Sequence, residues 1–271
     1  MIIIDPSEKS TIFGYLGFDN YGDELLAKTL VEKLKLKDVS MLSKKSSFFK
    51  HLFQFIGTKQ VFVVGGLFQD QTSYLSLLYY CVVLNIFQFF KKKVFLCAVG
   101  IGPLERKKSK DLLRFTLSGL QNISVRDQYS KDLLAELGIE AKLERDLAWS
   151  NPALTKSFNS NERSLVCIRN YNDWLLMKER FIFEEFDLLL MQKEFDLAQQ
   201  IKAETKFKHG VSIIDANAFE YKALLEVIAP YEKLLTSRYH AAILGYQAQI
   251  DVGILELSPK LSSLLKTISK A

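Results

Sequence analysis

One short cluster in the chain combines a fixed cation with a side chain that titrates near neutral pH. In the run Ser237-Arg238-Tyr239-His240, which follows a strand-like segment and precedes a helical one, the arginine and the histidine are two residues apart. A guanidinium can hold a carboxylate or phosphate through two parallel hydrogen bonds. An imidazole can give or take a proton near pH 7. The pair therefore indicates acid–base chemistry on an anionic substrate, whereas we interpret His51 and His209 as structural.

Two further arginines end strand-like runs in a comparable way. Arg126 closes the run Asn122–Val125 in the first half of the chain, and Arg169 closes a similar run in the second half. A single arginine at such a place is more often a surface charge. Two of them facing one cleft would suit a small, highly anionic substrate.

Three strand ends in the first half are rich in glycine. Because parallel strands end at one edge of a sheet, we expect a ligand to lie across the backbone there. The spacing is neither GxGxxG nor that of a P-loop, so these glycines indicate a nucleotide site only weakly. The residues concerned are Gly14, Gly17, Asn20 and Gly22 after the first strand, Gly65, Gly66 and Gln69 after the second, and Gly100 and Gly102 after the third.

Two carboxylates, Asp23 and Glu24, follow the first of these turns, immediately before a helix predicted from Leu25 to Leu36. The helix dipole favours carboxylates at this end, but they would repel a phosphate. They suit sugar hydroxyls instead, as hydrogen-bond acceptors or as a general base. The alternative is that Asp23 only caps the helix while the glycines serve the turn.

The elements that must position these residues alternate between short β-rich runs and amphipathic helical runs. This alternation is typical of βαβ units and a parallel sheet, and it occurs twice, on either side of the polar segment 150–162. We therefore predict an α/β protein with two Rossmann-like doubly wound domains facing a central cleft, comprising residues 1–155 and 163–271. The predicted strands are 11–16, 60–64, 94–99, 122–125, 141–143, 164–169, 187–191, 211–214, 233–236 and 251–254.

Composition excludes several classes of protein. The 271 residues are 48% hydrophobic and 25% charged, as in a folded domain. The net charge of +5 is spread along the chain, so a nucleic-acid partner is not expected. The histidines and cysteines lack the spacing of metal ligands, and we predict no metal. No secretory signal is visible, and the three dispersed cysteines suggest reduced thiols in a cytoplasmic protein.

The apolar segment Tyr74–Phe90 is followed at once by Lys91, Lys92 and Lys93. We interpret it first as a buried helix. Since aromatic residues beside a lysine cluster suit an anionic interface, a helix that touches a membrane surface is an alternative. A membrane-spanning helix is the least favoured, because the segment is short and carries two amides near one end.

Taken in order, the motifs resemble those of the polysaccharide pyruvyl transferases, and the resemblance extends from Gly14 to Lys260. Tyr239 stands where the family commonly has leucine, and Leu67 stands where it commonly has a third glycine. The motifs are Gly-Tyr-x-Gly-x-x-Asn-x-Gly-Asp-Glu at 14–24, Gly65-Gly66 with Gln69-Asp70, Gly100-Ile-Gly102-Pro103, Ser124-Val-Arg126-Asp127, Arg169 to Trp174, Met191-Gln192 with Asp196, Arg238-x-His240 and Pro259-Lys260.

The resemblance implies a GT-B-like fold and a transferase that moves a pyruvyl group from phosphoenolpyruvate to a sugar of a cell-surface polysaccharide precursor, forming a ketal. No cofactor is implied beyond phosphoenolpyruvate as co-substrate. Under this interpretation His240 is the acid or proton shuttle, and Asp23 or Glu24 orients or deprotonates the sugar. The expected anion holders are Arg126, Arg169, Arg238 and Lys260, and the glycine turns, Asn20, Gln69 and Gln192 complete the expected substrate site.

Two alternative functions stay open at this point. A glycosyltransferase with a nucleotide-sugar donor could use the same architecture, because fold does not determine function. A catalytically idle protein that binds carbohydrate or a membrane surface is the other. A lipid-linked saccharide acceptor at the inner membrane face would fit both a cytoplasmic location and the Lys91–Lys93 cluster.

Overall fold

The computed structural model describes residues 4–43, 55–71, 73–155, 161–181, 185–207, 209–255 and 259–268. Backbone contacts divide the chain into two compact units. The first unit comprises Met1–Gly17 and Asp23–Ser150, and the second comprises Phe18–Gly22 and Asn151–Ala271. His51 and part of the predicted polar linker, residues 156–160, lie outside the described residues.

The first unit is built on a six-stranded sheet in which all neighbouring strands are parallel, in the order β2-β1-β3-β4-β5-β6. β1 and β3 are buried along their whole length, as expected for central strands covered by helices on both faces. The strands are β1 Ser10–Phe13, β2 Val39–Leu42, β3 Gln60–Val63, β4 Lys93–Val99, β5 Asn122–Val125 and β6 Lys142–Leu143. The helices are α1 Tyr21–Leu34, α2 Tyr74–Phe89, α3 Lys107–Leu117 and α4 Gln128–Glu136.

The second unit holds a five-stranded sheet, also entirely parallel, in the order β11-β10-β7-β8-β9. Its core includes Val166, Trp174, Phe186 and Leu235. The strands are β7 Ser164–Cys167, β8 Phe186–Leu190, β9 Ile213–Asp215, β10 Lys233–Thr236 and β11 Asp251–Ile254. The helices are α5 Tyr171–Arg180, α6 Phe195–Glu204, α7 Tyr221–Ile228, α8 Tyr239–Gln247 and α9 Pro259–Ile268.

The prediction of two parallel α/β domains is confirmed. Two local expectations were wrong. β2 was not predicted, because this edge strand buries only Leu42 fully and so lacks an apolar pattern. We expected α1 to begin at Leu25, but it begins at Tyr21, so that Asp23 and Glu24 lie within its first turn, where the helix dipole favours them.

The short segment 18–22 leaves the first unit and contacts the second. The backbone N–H of Tyr21 donates to the carbonyl of Met191 over 2.8 Å, and the Asn217 amide donates to the carbonyl of Asp19 over 3.1 Å. Lys193 forms an ion pair with Asp19 at 2.9 Å. These contacts tie the middle of the predicted glycine turn to the second unit.

The segment that begins at Tyr74 forms the helix α2. One side of α2 packs against the hydrophobic core of the first unit through residues such as Leu77, Leu84 and Phe87. Its outer side is described below. Among the described residues, no helix is long and apolar enough to cross a membrane.

Candidate functional site

In the first unit, the predicted site residues follow four neighbouring strands at the edge where those strands end. Because β1, β3, β4 and β5 are parallel and adjacent, their carboxyl ends lie side by side. The turns that follow them therefore share this edge, as the glycine pattern predicted. They carry Gly14, Gly17, Asp23 and Glu24 after β1, Gly65, Gly66 and Gln69 after β3, Gly100 and Gly102 after β4, and Arg126 after β5.

Asp23 lies against the glycine turn that follows β3. Gly65 has a φ of +86°, and a Cβ on it would meet Oδ1 of Asp23 at 2.5 Å, so both its conformation and its surroundings require glycine. The Asp23 side chain is buried. Burial, and in addition the charge of Asp23, raise the pKa of Tyr80, which places the tyrosine close to this carboxylate. Asp23 is thus positioned by two other segments of the first unit.

Glu24 has a different role in the same turn. Its Oε1 accepts a hydrogen bond from the backbone N–H of Gly17 over 2.6 Å. This contact closes the turn after β1 onto the first turn of α1. The two carboxylates that were interchangeable in the sequence are therefore distinguished by the structure.

Arg126 does not lie open at the edge of the sheet. Its side chain is only 5% exposed, and its guanidinium forms an ion pair with the equally buried Asp146 over 2.8 Å. A second carboxylate, Asp127, lies 3.9 Å from its Nε. The guanidinium of Arg126 is thus matched by buried carboxylates of its own unit, and its role as an anion holder stays a prediction.

In the second unit, β10, β7 and β8 are adjacent and parallel, so Arg238, Arg169 and Gln192 follow three neighbouring strand ends. Gln192 is half-buried in the turn before α6. Lys260 is the second residue of α9, and Asn20 belongs to the segment 18–22; both are half-buried. The predicted residues of this unit thus derive from the carboxyl ends of its strands and from the segment that joins it.

His240 occupies the first turn of α8 and is half-buried. Its imidazole packs against the backbone of Gly22, where a Cβ would come within 2.1 Å of Nδ1. The ring of Tyr239 lies perpendicular to the imidazole at 5.5 Å. The histidine is therefore not turned into an apolar core, and backbone from the glycine motif fixes one side of its ring.

Arg238 immediately precedes α8 and is held by the second unit's own groups. Its Nε donates to the carbonyl of Ile168 over 3.2 Å, and its guanidinium forms an ion pair with Glu194. Both charged side chains are largely buried, at 15% and 13% exposure. Glu194 was not predicted as a site residue, because nothing in the local sequence relates it to Arg238.

Asp173, which lies in one of the motifs but was not predicted as a site residue, organises the other arginine. It is buried and accepts hydrogen bonds from the backbone N–H and Nε of Arg169, over 3.1 and 3.3 Å. The hydroxyl of Ser237 donates to the same carboxylate. Asp173 thus joins the ends of β7 and β10. The signals for it in the sequence were its place in the motif from Arg169 to Trp174 and its spacing of four residues from Arg169.

No group of three or more histidine, cysteine, aspartate or glutamate side chains in the described parts of the chain could hold a metal ion. The three cysteines are free. Burial raises the pKa of both Cys81 and Cys167 to about 11, so these thiols are protonated at neutral pH. The candidate site offers an imidazole from His240, carboxylates and guanidinium groups.

A comparison with protein families shows to which family the chain belongs. A family model described as polysaccharide pyruvyl transferase matches residues 20–256, which includes Asn20, Gly22 and the Arg238–His240 pair. The chain belongs to the polysaccharide pyruvyl transferase family. The predicted relationship is confirmed, and with it an enzyme of that kind, a transferase of polysaccharide biosynthesis. A sequence comparison with curated proteins finds no match.

Two solved structures show the same fold as this pyruvyl transferase family member. A UDP-N-acetylglucosamine 2-epimerase from Methanocaldococcus jannaschii, in complex with UDP-N-acetylglucosamine and UDP, is 13% identical with a TM-score of 0.51, and the match covers 97% of this chain and 92% of that one. A structure assigned to the same enzyme class, from Listeria monocytogenes, is 9% identical with a TM-score of 0.52, covering 96% and 82%. The GT-B-like fold is confirmed, and at these identities the likeness concerns the fold alone.

Proposed function

We propose that this pyruvyl transferase family member takes its pyruvyl group from phosphoenolpyruvate and attaches it to two hydroxyls of a sugar in a cell-surface polysaccharide precursor, as a ketal. The observation that carries the proposal is the environment of His240. Its imidazole is held at the start of α8 against the backbone of Gly22, two residues after an arginine fixed by Ile168 and Glu194. A proton donor beside fixed cations is what an enol phosphate requires.

The reaction balances with the groups that the chain offers. Protonation of C3 of phosphoenolpyruvate makes C2 electrophilic, and the oxygen of a first sugar hydroxyl adds to C2 as it loses its proton. The oxygen of a second hydroxyl then replaces phosphate at C2 and closes the ring. Of the two hydroxyl protons, one balances the proton gained by the new methyl group, and the other leaves with the phosphate.

The proposed roles follow from the contacts of each residue. His240 delivers the proton to C3, and Arg169 and Arg238 hold the carboxylate and phosphate. Asp23 is the candidate base for the hydroxyl, because Glu24 is committed to the backbone of Gly17. Lys260 remains a further candidate cation at the start of α9.

Phosphate release from phosphoenolpyruvate, measured with and without a panel of sugar acceptors, tests the proposal. We expect release only when an acceptor with two suitably placed hydroxyls is present, together with an acid-labile product that contains pyruvate. Because one well-placed acid contributes about 100- to 10,000-fold, His240→Ala should reduce the rate by at least about 100-fold. His209→Ala, which changes an exposed histidine of the same unit, is the matched control and should leave the rate unchanged.

The assay also contains the outcomes that would refute the proposal. The similar structure from Methanocaldococcus jannaschii was solved with UDP-N-acetylglucosamine and UDP, so nucleotide sugars are offered as donors in parallel. Turnover of a nucleotide sugar without use of phosphoenolpyruvate would favour glycosyl transfer. Wild-type rates in His240→Ala would remove the proposed proton donor.

A further inference from the structure

We propose that the outer surface of α2 and α3 in the first unit binds an anionic membrane surface. We call this surface the α2–α3 face and define it by the exposed apolar residues Leu75, Val82, Phe89, Phe90 and Phe115. This inference concerns where the protein is located and is independent of the reaction proposed above.

The α2 helix is apolar on its outer side as well as on its inner side. Leu75, Val82 and Phe89 are seven residues apart and therefore lie in one line along the helix. They are 70%, 46% and 81% exposed, respectively. A helix that is apolar all round is normally buried on every side. In α2, one side contacts the hydrophobic core of the first unit, and the side chains of Leu75, Val82 and Phe89 on the other side are exposed among the described residues.

The α3 helix extends this surface beside the end of α2. The side-chain amide of Gln88 donates to the carbonyl of Thr116 over 2.9 Å, and that of Asn85 donates to the Thr116 hydroxyl over 3.1 Å. These bonds join the two helices next to Phe89 and Phe115, the latter 75% exposed. Three exposed phenylalanines, including Phe90, are thus gathered on one unit.

The stretch of chain that carries these phenylalanines is rich in cationic residues. Between residues 89 and 118 the chain has eight cationic residues and two acidic ones. The cationic residues are Lys91, Lys92, Lys93, Arg106, Lys107, Lys108, Lys110 and Arg114, and the acidic ones are Glu105 and Asp111.

One of these cations connects the two helices. The ammonium group of Lys108 lies 4.1 Å from the centroid of the Tyr74 ring, so the start of α3 presents its charge beside the start of α2. Burial and, in addition, the charge of Lys59 lower the pKa of Lys92, which places one further cation near the residues that follow α2.

The combination identifies the partner as an anionic bilayer. Phenylalanine and leucine side chains enter the boundary between head groups and acyl chains, while flexible lysines reach the phosphates. A second copy of this chain fits the same face poorly, because a two-fold interface would bring two identical cationic clusters together. An acidic protein would match the charge alone, whereas a bilayer also takes up the exposed phenylalanines.

Flotation of the full chain with vesicles tests the inference. Vesicles of phosphatidylcholine alone are compared with vesicles that contain phosphatidylserine or phosphatidylglycerol. We expect flotation with the anionic vesicles only. Phe89→Ser combined with Phe115→Ser should reduce binding by at least about tenfold. Lys91→Ser combined with Lys107→Ser should reduce it by about fivefold for each lysine removed.

Binding through the α2–α3 face differs from nonspecific adsorption because exposed apolar residues elsewhere on the protein should not contribute to it. Leu175→Ser combined with Phe195→Ser removes two exposed apolar residues of the second unit, and this variant should bind vesicles as the wild type does. A wild type that stays at the bottom of the gradient with anionic vesicles would overturn the inference. Unchanged binding by the Phe89/Phe115 variant would also overturn it, as would loss of a dimer rather than of vesicle binding in that variant.

Discussion

The imidazole of His240 rests on the Cα of Gly22, so closely that an added methyl group would lie 2.1 Å from Nδ1 and 2.6 Å from Cγ. The two residues are far apart in sequence, yet both belong to the second unit. Gly22 also lies in the first turn of α1, and the next residue in the chain is Asp23. Gly22, from the motif at 14–24, therefore fixes one side of the imidazole ring of His240.

Replacing Gly22 by alanine should separate activity from stability. Alanine favours the helical conformation by up to about 1 kcal/mol over glycine, so the thermal unfolding temperature should be maintained. The methyl group must displace the imidazole, and a shift of about 1 Å at a catalytic group can cost about 100-fold. We expect kcat/KM for phosphoenolpyruvate to fall by at least about tenfold.

Gly119→Ala serves as the control for this substitution, because a methyl group there would meet only the Gln88 amide oxygen at 3.4 Å. Gly119→Ala should change neither the thermal unfolding temperature nor kcat/KM for phosphoenolpyruvate. If Gly22→Ala retained wild-type kinetics, the contact between Gly22 and His240 would have no bearing on catalysis.

The elements that carry the site could be predicted because they are governed by local patterns. β5, β10 and β11 were predicted with the observed bounds. Strands of a parallel sheet that is covered on both faces are short apolar runs. The turns after them carry glycine and polar residues. Arg238 and His240 could be found for the same reason, since both lie within four residues of a strand end.

The partners of these residues could not be predicted, because they are set by tertiary contacts. Arg238 pairs with Glu194, and Ser237 donates to Asp173 across a gap of 64 residues. A free arginine and a paired one have the same appearance in a sequence. For this reason the sequence could not show that Arg126 pairs with Asp146 or that Arg169 pairs with Asp173. No local pattern in the sequence indicates that residues 18–22 belong to the second unit either.

The two carboxylates at the start of α1 should respond differently to loss of charge. Glu24→Gln keeps an oxygen that can accept the Gly17 N–H, so we expect nearly wild-type activity. Asp23→Asn removes the proposed base, and the rate should fall by at least about 100-fold. Pyruvyl transfer to the sugar is measured for both variants at saturating phosphoenolpyruvate. Equal losses in the two variants would argue against a specific role for Asp23.

Asp173 should act as a positioning residue for Arg169. In Asp173→Asn, the amide can accept only at one atom, and the charge that holds the guanidinium is lost. We expect KM for phosphoenolpyruvate to rise by roughly tenfold or more while kcat changes less, because binding of the anion is affected and the proton donor is not. Glu204→Gln, which alters an exposed hydrogen-bonding carboxylate on α6, is the control. A fall in kcat alone would place Asp173 in the chemical step instead.

Asp70, although it belongs to one of the family motifs, should affect stability rather than turnover. Its carboxylate is buried and accepts hydrogen bonds from the backbone N–H groups of Glu105 and Arg106, each over 3.0 Å, at the start of α3. Burial by itself would raise the pKa of Asp70, but hydrogen bonds including these lower it below its ordinary value of 3.8. Asp70→Asn should therefore lower the free energy of unfolding at pH 7 by about 1 kcal/mol.

The pH dependence of this effect follows from the direction of the shift. A carboxylate whose pKa is lower in the folded state stabilises the protein at every pH above its unfolded pKa, and the stabilisation is lost as the pH falls through the folded pKa. The difference in unfolding free energy between the wild type and Asp70→Asn should thus be constant near neutrality and shrink below about pH 4. Urea unfolding at a series of pH values measures this difference. The control is Asp111→Asn, which changes an exposed acidic residue of α3. A difference that stays constant down to pH 2 would show that the charge of Asp70 contributes nothing to the start of α3.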